Sequence, residues 1–119
     1  MPEAAEINNI EELDTALRHS SDQPVLLFKH STTCPISARA YREYQSFLGG
    51  ADSGTSYRLI IVQHARPVSN EISERLGIAH ESPQAILVKD GRAVWDASHY
   101  DITSASLEAA LVSARGKTP

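Results

Sequence analysis

The chain has 119 residues, of which 41% are apolar and 22% charged, the proportions of a soluble globular protein of one ordinary domain. With 11 basic residues against 15 acidic ones the formal net charge is −4, which argues against a nucleic-acid binder. Apolar runs such as Val25–Phe28, Leu59–Val62 and Ala85–Val88 are far too short to span a membrane. The acidic segment Met1–Glu6 has neither the positive nor the apolar region of a signal peptide, so the cytosol is the expected location.

Asn9 and Glu12 have the spacing of a capping box, and Ile10, Leu13 and Leu17 follow at helical intervals up to about Ser20. Pro24 leads into the strand Val25–Lys29, whose consecutive apolar positions suit cover on both faces. A short polar turn, His30 to Thr33, precedes Cys34 and Pro35. The next helix carries Ile36, Ala40, Tyr44, Phe47 and Leu48 on one side, with Gly49 as its cap. Gly49–Gly54 reads as a surface loop. Tyr57–Val62 is a second doubly covered strand, and a helix starting at Pro67 or Ser69 is closed by Gly77. Asp90-Gly91, between Ala85–Val88 and Ala93–Trp95, signals a two-residue type I′ hairpin, with Trp95 serving packing. A last helix carries Leu107, Ala110, Leu111 and Ala114, with Thr103 as N-cap and Ile102 and Leu107 at hydrophobic-staple spacing.

The expected order is α-β-α-β-α-β-β-α. Strand–helix–strand units with continuous apolar strands imply a parallel core, and the hairpin adds an antiparallel pair. We therefore expect an α/β fold of thioredoxin type: a central mixed sheet, a closing antiparallel hairpin, and helices on both faces, in a single domain over residues 1–119.

Cys34 is the chain's one cysteine, so neither an internal disulfide nor a Cys-x-x-Cys pair is available. A lone cysteine is commonly a small buried hydrophobe. Here, however, it stands between a strand and a helix whose first residue is Pro35, which places it at the N-cap. Unpaired amides and the positive end of the helix dipole there favour thiolate over thiol, and the thiolate is the nucleophile. Ser37 occupies the position of a second cysteine in a dithiol site. Its hydroxyl is within helical reach of Cys34 and able to donate to it, but cannot resolve a mixed disulfide.

Pro83, in Glu81-Ser82-Pro83-Gln84, lies at a strand entrance, where proline is common on steric grounds alone. In a thioredoxin-type fold this loop faces the reactive cysteine and carries a cis proline, and the backbone of Ser82 would receive an extended substrate segment. His30 either tunes Cys34 or is a solvent-facing turn residue. Lys29, Arg39 and Arg42 offer positive charge for an anionic thiol, although the two arginines equally suit a solvated helix face. Five histidines without ligand spacing, and no second cysteine, give no reason to expect a metal.

Lys29-His30-Ser31-Thr32-Thr33-Cys34-Pro35-Ile36-Ser37 resembles the Thr-Cys-Pro-Ile-Ser hallmark of the monothiol bacilliredoxin family. His80–Ala85, Ala97-Ser98-His99 and Ile102-Thr103 also resemble that family's later segments. The resemblance implies a thioredoxin fold and thiol–disulfide exchange on proteins carrying bacillithiol, a cysteine-bearing glucosaminyl malate used in place of glutathione. By the same resemblance, Cys34 is the catalytic thiol, with Thr33, Pro35, Ile36 and Ser37 shaping its surroundings. Ser82 and Pro83, with Lys29 and His30, would bind substrate. No bound cofactor is implied: bacillithiol is a co-substrate, and bacillithiol or another redoxin would recycle Cys34. Ser31 stands where glutaredoxins usually carry a lysine for glutathione, which weakens a glutathione assignment. Two rival readings are an iron–sulfur carrier, with Cys34 of two chains sharing a cluster, and a non-catalytic thioredoxin-fold adaptor.

Overall fold

A computed structural model describes residues 4–50 and 54–116. In chain order the elements are β1 (Ala5–Glu6), α1 (Ile10–His19), β2 (Val25–His30), α2 (Pro35–Gly50), β3 (Ser56–Ile61), α3 (Arg66–Leu76), β4 (Gln84–Lys89), β5 (Arg92–Ser98) and α4 (Ser104–Gly116). A 3₁₀ turn, His99–Asp101, joins β5 to α4. The sheet order is β1-β3-β2-β4-β5, with β1, β3 and β2 parallel and β4 and β5 antiparallel. This is the mixed sheet of a thioredoxin fold with its closing hairpin.

β2 is buried along its whole length because both of its faces are covered. Leu26 and Phe28 pack with Tyr44, Phe47 and Leu48 of α2 and Leu107 and Leu111 of α4. Val25 and Leu27 pack on the other face with Leu13 of α1 and Val68 and Ile72 of α3. Trp95, opposite Leu87 on β4, leans on the α2/α4 core, so it serves packing.

Local signals place the element ends. The Asn9 side chain accepts the Glu12 amide at 2.9 Å, while the Glu12 carboxylate accepts the Asn8 amide at 2.7 Å. At α4, Thr103 and Ser106 exchange side-chain-to-amide bonds of 3.0 Å in both directions, and Ile102 and Leu107 are both fully buried. Gly77 closes α3 with φ of 67°. Asp90 and Gly91 have φ of 54° and 75°, the pair of positive values that a type I′ turn needs.

Besides shifts of one to three residues at the ends of β3, β4 and β5, three features differ from the sequence reading. β1 was not expected: its two residues carry no alternation, and Ile7 fixes it by burial and by an amide bond of 2.8 Å to Leu59. α2 runs through Gly49 to Gly50, so Gly49 lies in the last turn instead of capping it. The rest of the expected loop, residues 51–53, falls outside the described residues. β2 extends through His30, so that residue belongs to the strand and not to the turn. Among the described residues no helix is long and apolar enough to cross a membrane.

Leu27→Ala, at the centre of the sheet, is expected to lower the unfolding free energy in urea by about 2–5 kcal/mol. Val94→Ala, on the exposed edge strand, should change it by less than about 0.5 kcal/mol.

Candidate functional site

The carboxyl end of β2 and the amino end of β4 lie side by side, because Lys29 pairs with Gln84 in the antiparallel register. The turn after β2 and the loop before β4 therefore meet at one end of the sheet.

The Cys34 carbonyl accepts the Ala38 amide at 2.9 Å, and Pro35 is the first residue of α2, so Cys34 is the N-cap. Its residue is half-buried and its thiol free. Among the described residues no hydrogen bond reaches its sulfur, so the side chain is uncommitted. Pro35 is exposed and Ile36 half-buried at the rim.

Ser37 does not turn toward Cys34. It is fully buried on the inner side of α2, where its Oγ accepts the Ser31 amide at 2.9 Å and lies 2.8 Å from His30 Nδ1. His30 is buried too, stacked on Tyr41 at 4.5 Å and near Phe28, and burial lowers its pKa below 6.5. A neutral imidazole with Nδ1 unprotonated satisfies the whole chain: Ser31 N–H donates to Ser37 Oγ, and Ser37 O–H donates to His30 Nδ1. The expected Ser37–Cys34 bond is thus replaced by one that locks the turn to the strand. The solvent-facing reading of His30 is overturned for the same reason.

Lys29 is a second correction. Strand parity sends its side chain to the α1/α3 face, away from His30, where it is fully buried. It is not presented to a substrate at Cys34. Arg39 is exposed and lies over the ring of Tyr100 at 5.4 Å.

Gln63, which sequence reasoning did not single out, clamps the turn from the end of β3. Its Nε2 donates to Ser31 Oγ at 2.9 Å and to Thr33 Oγ1 at 3.2 Å, and its Oε1 accepts the Thr32 amide at 3.3 Å. No local pattern announces it, although the carboxyl ends of parallel strands are where sites gather in such sheets.

On the facing loop the Ser82–Pro83 peptide is cis. The Pro83 carbonyl accepts the His99 amide at 3.2 Å, and Glu81 lies 3.5 Å from His99, so the 3₁₀ turn holds this loop from behind. Ser82 Oγ is buried without a hydrogen-bond partner among the described residues. Cys34, its neighbours Thr33 to Ser37, His30, Ser82 and Pro83 are thus brought to one end of the sheet, and Lys29's side chain alone is not.

The sequence profile described as monothiol bacilliredoxin BrxC matches residues 5–107. The chain belongs to the monothiol bacilliredoxin family. A solved thioredoxin-fold protein, named for an inferred oxidoreductase role, is 34% identical and superposes with a TM-score of 0.80 over 90% of this chain and 92% of that one. Thioredoxin from Trypanosoma brucei brucei superposes with a TM-score of 0.79 at 9% identity, covering 98% of this chain and 94% of its own. A mutant thioredoxin from Halobacterium salinarum gives 0.74 at 17% identity, covering 98% of this chain and 95% of its own. These last two likenesses are of fold. Family and fold together make this bacilliredoxin a thiol oxidoreductase.

Gln63→Ala is expected to slow thiol–disulfide exchange at Cys34 by about three- to tenfold, with about 1 kcal/mol or less lost from stability, because it frees the turn and leaves the core intact. Urea melts against pH test His30. With its folded pKa below 6.5, the unfolded chain takes the proton first, so stability is full above pH 6.5 and falls as pH drops through the lowered value. His30→Gln should flatten that slope.

Proposed function

We propose that this protein removes bacillithiol from protein mixed disulfides. The Cys34 thiolate attacks the bacillithiol sulfur in line. A new Cys34–bacillithiol disulfide forms as the old disulfide breaks, and the client leaves as a thiolate that takes a proton from solvent. The client sulfur is reduced and Cys34 is oxidised to the same extent. A second thiol, free bacillithiol or that of another redoxin, attacks the Cys34-bound disulfide and regenerates the enzyme.

The observation that carries this reading is the pairing of one sulfur with one buried hydroxyl. Cys34 heads α2 with an uncommitted side chain, while the resolving position is filled by Ser37, whose Oγ is engaged by Ser31 and His30. Such a site can accept a small thiol but cannot discharge it internally. The amide and carbonyl of Ser82 have no partner among the described residues, which leaves them free to pair with an extended client segment. The cytoplasm, where thiols are kept reduced, is the compartment this chemistry fits.

Intact-mass spectrometry after mixing the reduced protein with a bacillithiolated client is expected to show one bacillithiol lost from the client and gained at Cys34. Cys34→Ser should abolish the gain, and transfer that survives it overturns the reading. Ser37→Ala should keep the transfer step while losing about 1–3 kcal/mol of stability, because the Ser31 amide and the buried His30 lose their partner.

A further inference from the structure

Lys29 is a fully buried lysine, and its ammonium meets only neutral acceptors. Its Nζ donates to the Ser69 carbonyl at 3.0 Å and to Ser73 Oγ at 3.1 Å, both on α3, and lies 3.2 Å from His80 Nδ1. Ser69 Oγ lies 3.3 Å from the same His80 nitrogen. Among the described residues no ion pair joins Lys29 to a carboxylate. A buried ammonium without a counter-charge is costly, and an apolar side chain would fill the space at less expense. Such a group calls for an explanation other than stability.

What the ammonium reaches provides one. His80 opens the segment that continues through Glu81 and Ser82 to Pro83, and Lys29 belongs to the strand that also carries the Cys34 turn. We propose that Lys29 is a positioning residue: through His80 it holds the Ser82–Pro83 loop in register with the Cys34 turn, so that a client segment finds both. This rests on the reading above, in which the Ser82 backbone receives the client.

The strut requires His80 to accept at Nδ1, which only the neutral imidazole does. Burial and the nearby Lys29 lower the His80 pKa, with Arg66 of α3 acting in the same sense and Glu81 opposing. Protonation would set an imidazolium against the ammonium and release the loop. The ring is otherwise exposed, so solvent protons reach it directly. The loop's remaining ties are the Gln84 side chain on the Ala79 carbonyl at 3.1 Å, the His99 amide on the Pro83 carbonyl at 3.2 Å and the Glu81–His99 contact at 3.5 Å, and they bear the load after release.

The test compares two rates at Cys34. Iodoacetamide alkylation needs the thiolate alone, whereas bacillithiol transfer from a client needs the loop as well, so their ratio isolates the loop. Lys29→Met should melt at or above the wild-type temperature yet lower the ratio by about tenfold, with the loss in KM. The wild-type ratio should fall on acidification below pH 6.5, and His80→Gln, whose amide oxygen accepts without titrating, should flatten it. Hydrogen exchange at the His99 amide, read as protection relative to the intrinsic rate at each pH, supplies an arm that needs no substrate: protection should fall in Lys29→Met and in wild type at acidic pH. An unchanged ratio, or unchanged His99 exchange in Lys29→Met, overturns the proposal. A wild-type protein that takes no bacillithiol would instead defeat the assigned reaction, with the hydrogen-exchange arm still deciding the role of Lys29.

Discussion

The site depends on a parity constraint at the end of β2. Successive residues of a strand point to opposite faces, so Lys29 and His30, adjacent in sequence, are sent to opposite sides of a sheet covered on both. His30 reaches Ser37 and through it the Ser31 amide, which fixes the turn carrying Cys34. Lys29 reaches His80, at the start of the loop carrying Ser82 and Pro83. One rigid strand end thus holds both walls of the site, and neither wall shifts without disturbing a buried polar contact.

Ser37 shows how the scaffold commits the protein to single-thiol chemistry. A hydroxyl there that merely failed to react would leave the position available for other uses. Instead its two hydrogen-bonding roles are spent inward, on an amide and on an imidazole, under a helix turn that excludes water. The Cys34 sulfur keeps its reach because no hydrogen bond among the described residues engages it, and the clamp by Gln63 limits the movement of the turn. Rigidity beneath Cys34 and freedom at its sulfur are produced by different residues.

Most of the fold was legible because it is periodic or punctuated. The doubly apolar strands, the Asn9 and Thr103 caps, Gly77 and the Asp90-Gly91 turn each act within a few residues, and each lies where its spacing implied. β1 was not legible, since two residues have no period. Gly49 misled because glycine marks a helix end only when nothing else holds it: Phe47 and Leu48 are buried in the core and carry the helix past it. At the site, Cys34 and Pro35 were readable from the strand–turn–helix junction. The partners of Lys29 and of the turn were not, because His80 lies 51 residues from Lys29, and Gln63 lies 30 to 32 residues from the groups it binds. Starting the turn at His30 hid that this residue continues the strand and faces the α2 side, opposite Lys29.

The titrating groups around the site act in one direction. His30 and His80 are both held below their ordinary pKa, chiefly by burial, and burial lowers Lys29 to about 8. For the histidines the unfolded chain binds protons that the folded one refuses, so stability rises with pH up to about 6.5 and is then complete. For Lys29 the unfolded chain keeps a proton that the folded one begins to lose near 8, so stability rises again from there toward the ordinary lysine value. Acid therefore loosens this scaffold. The weakest links on acidification are the two contacts that align the halves of the site, His30 with Ser37 and Lys29 with His80.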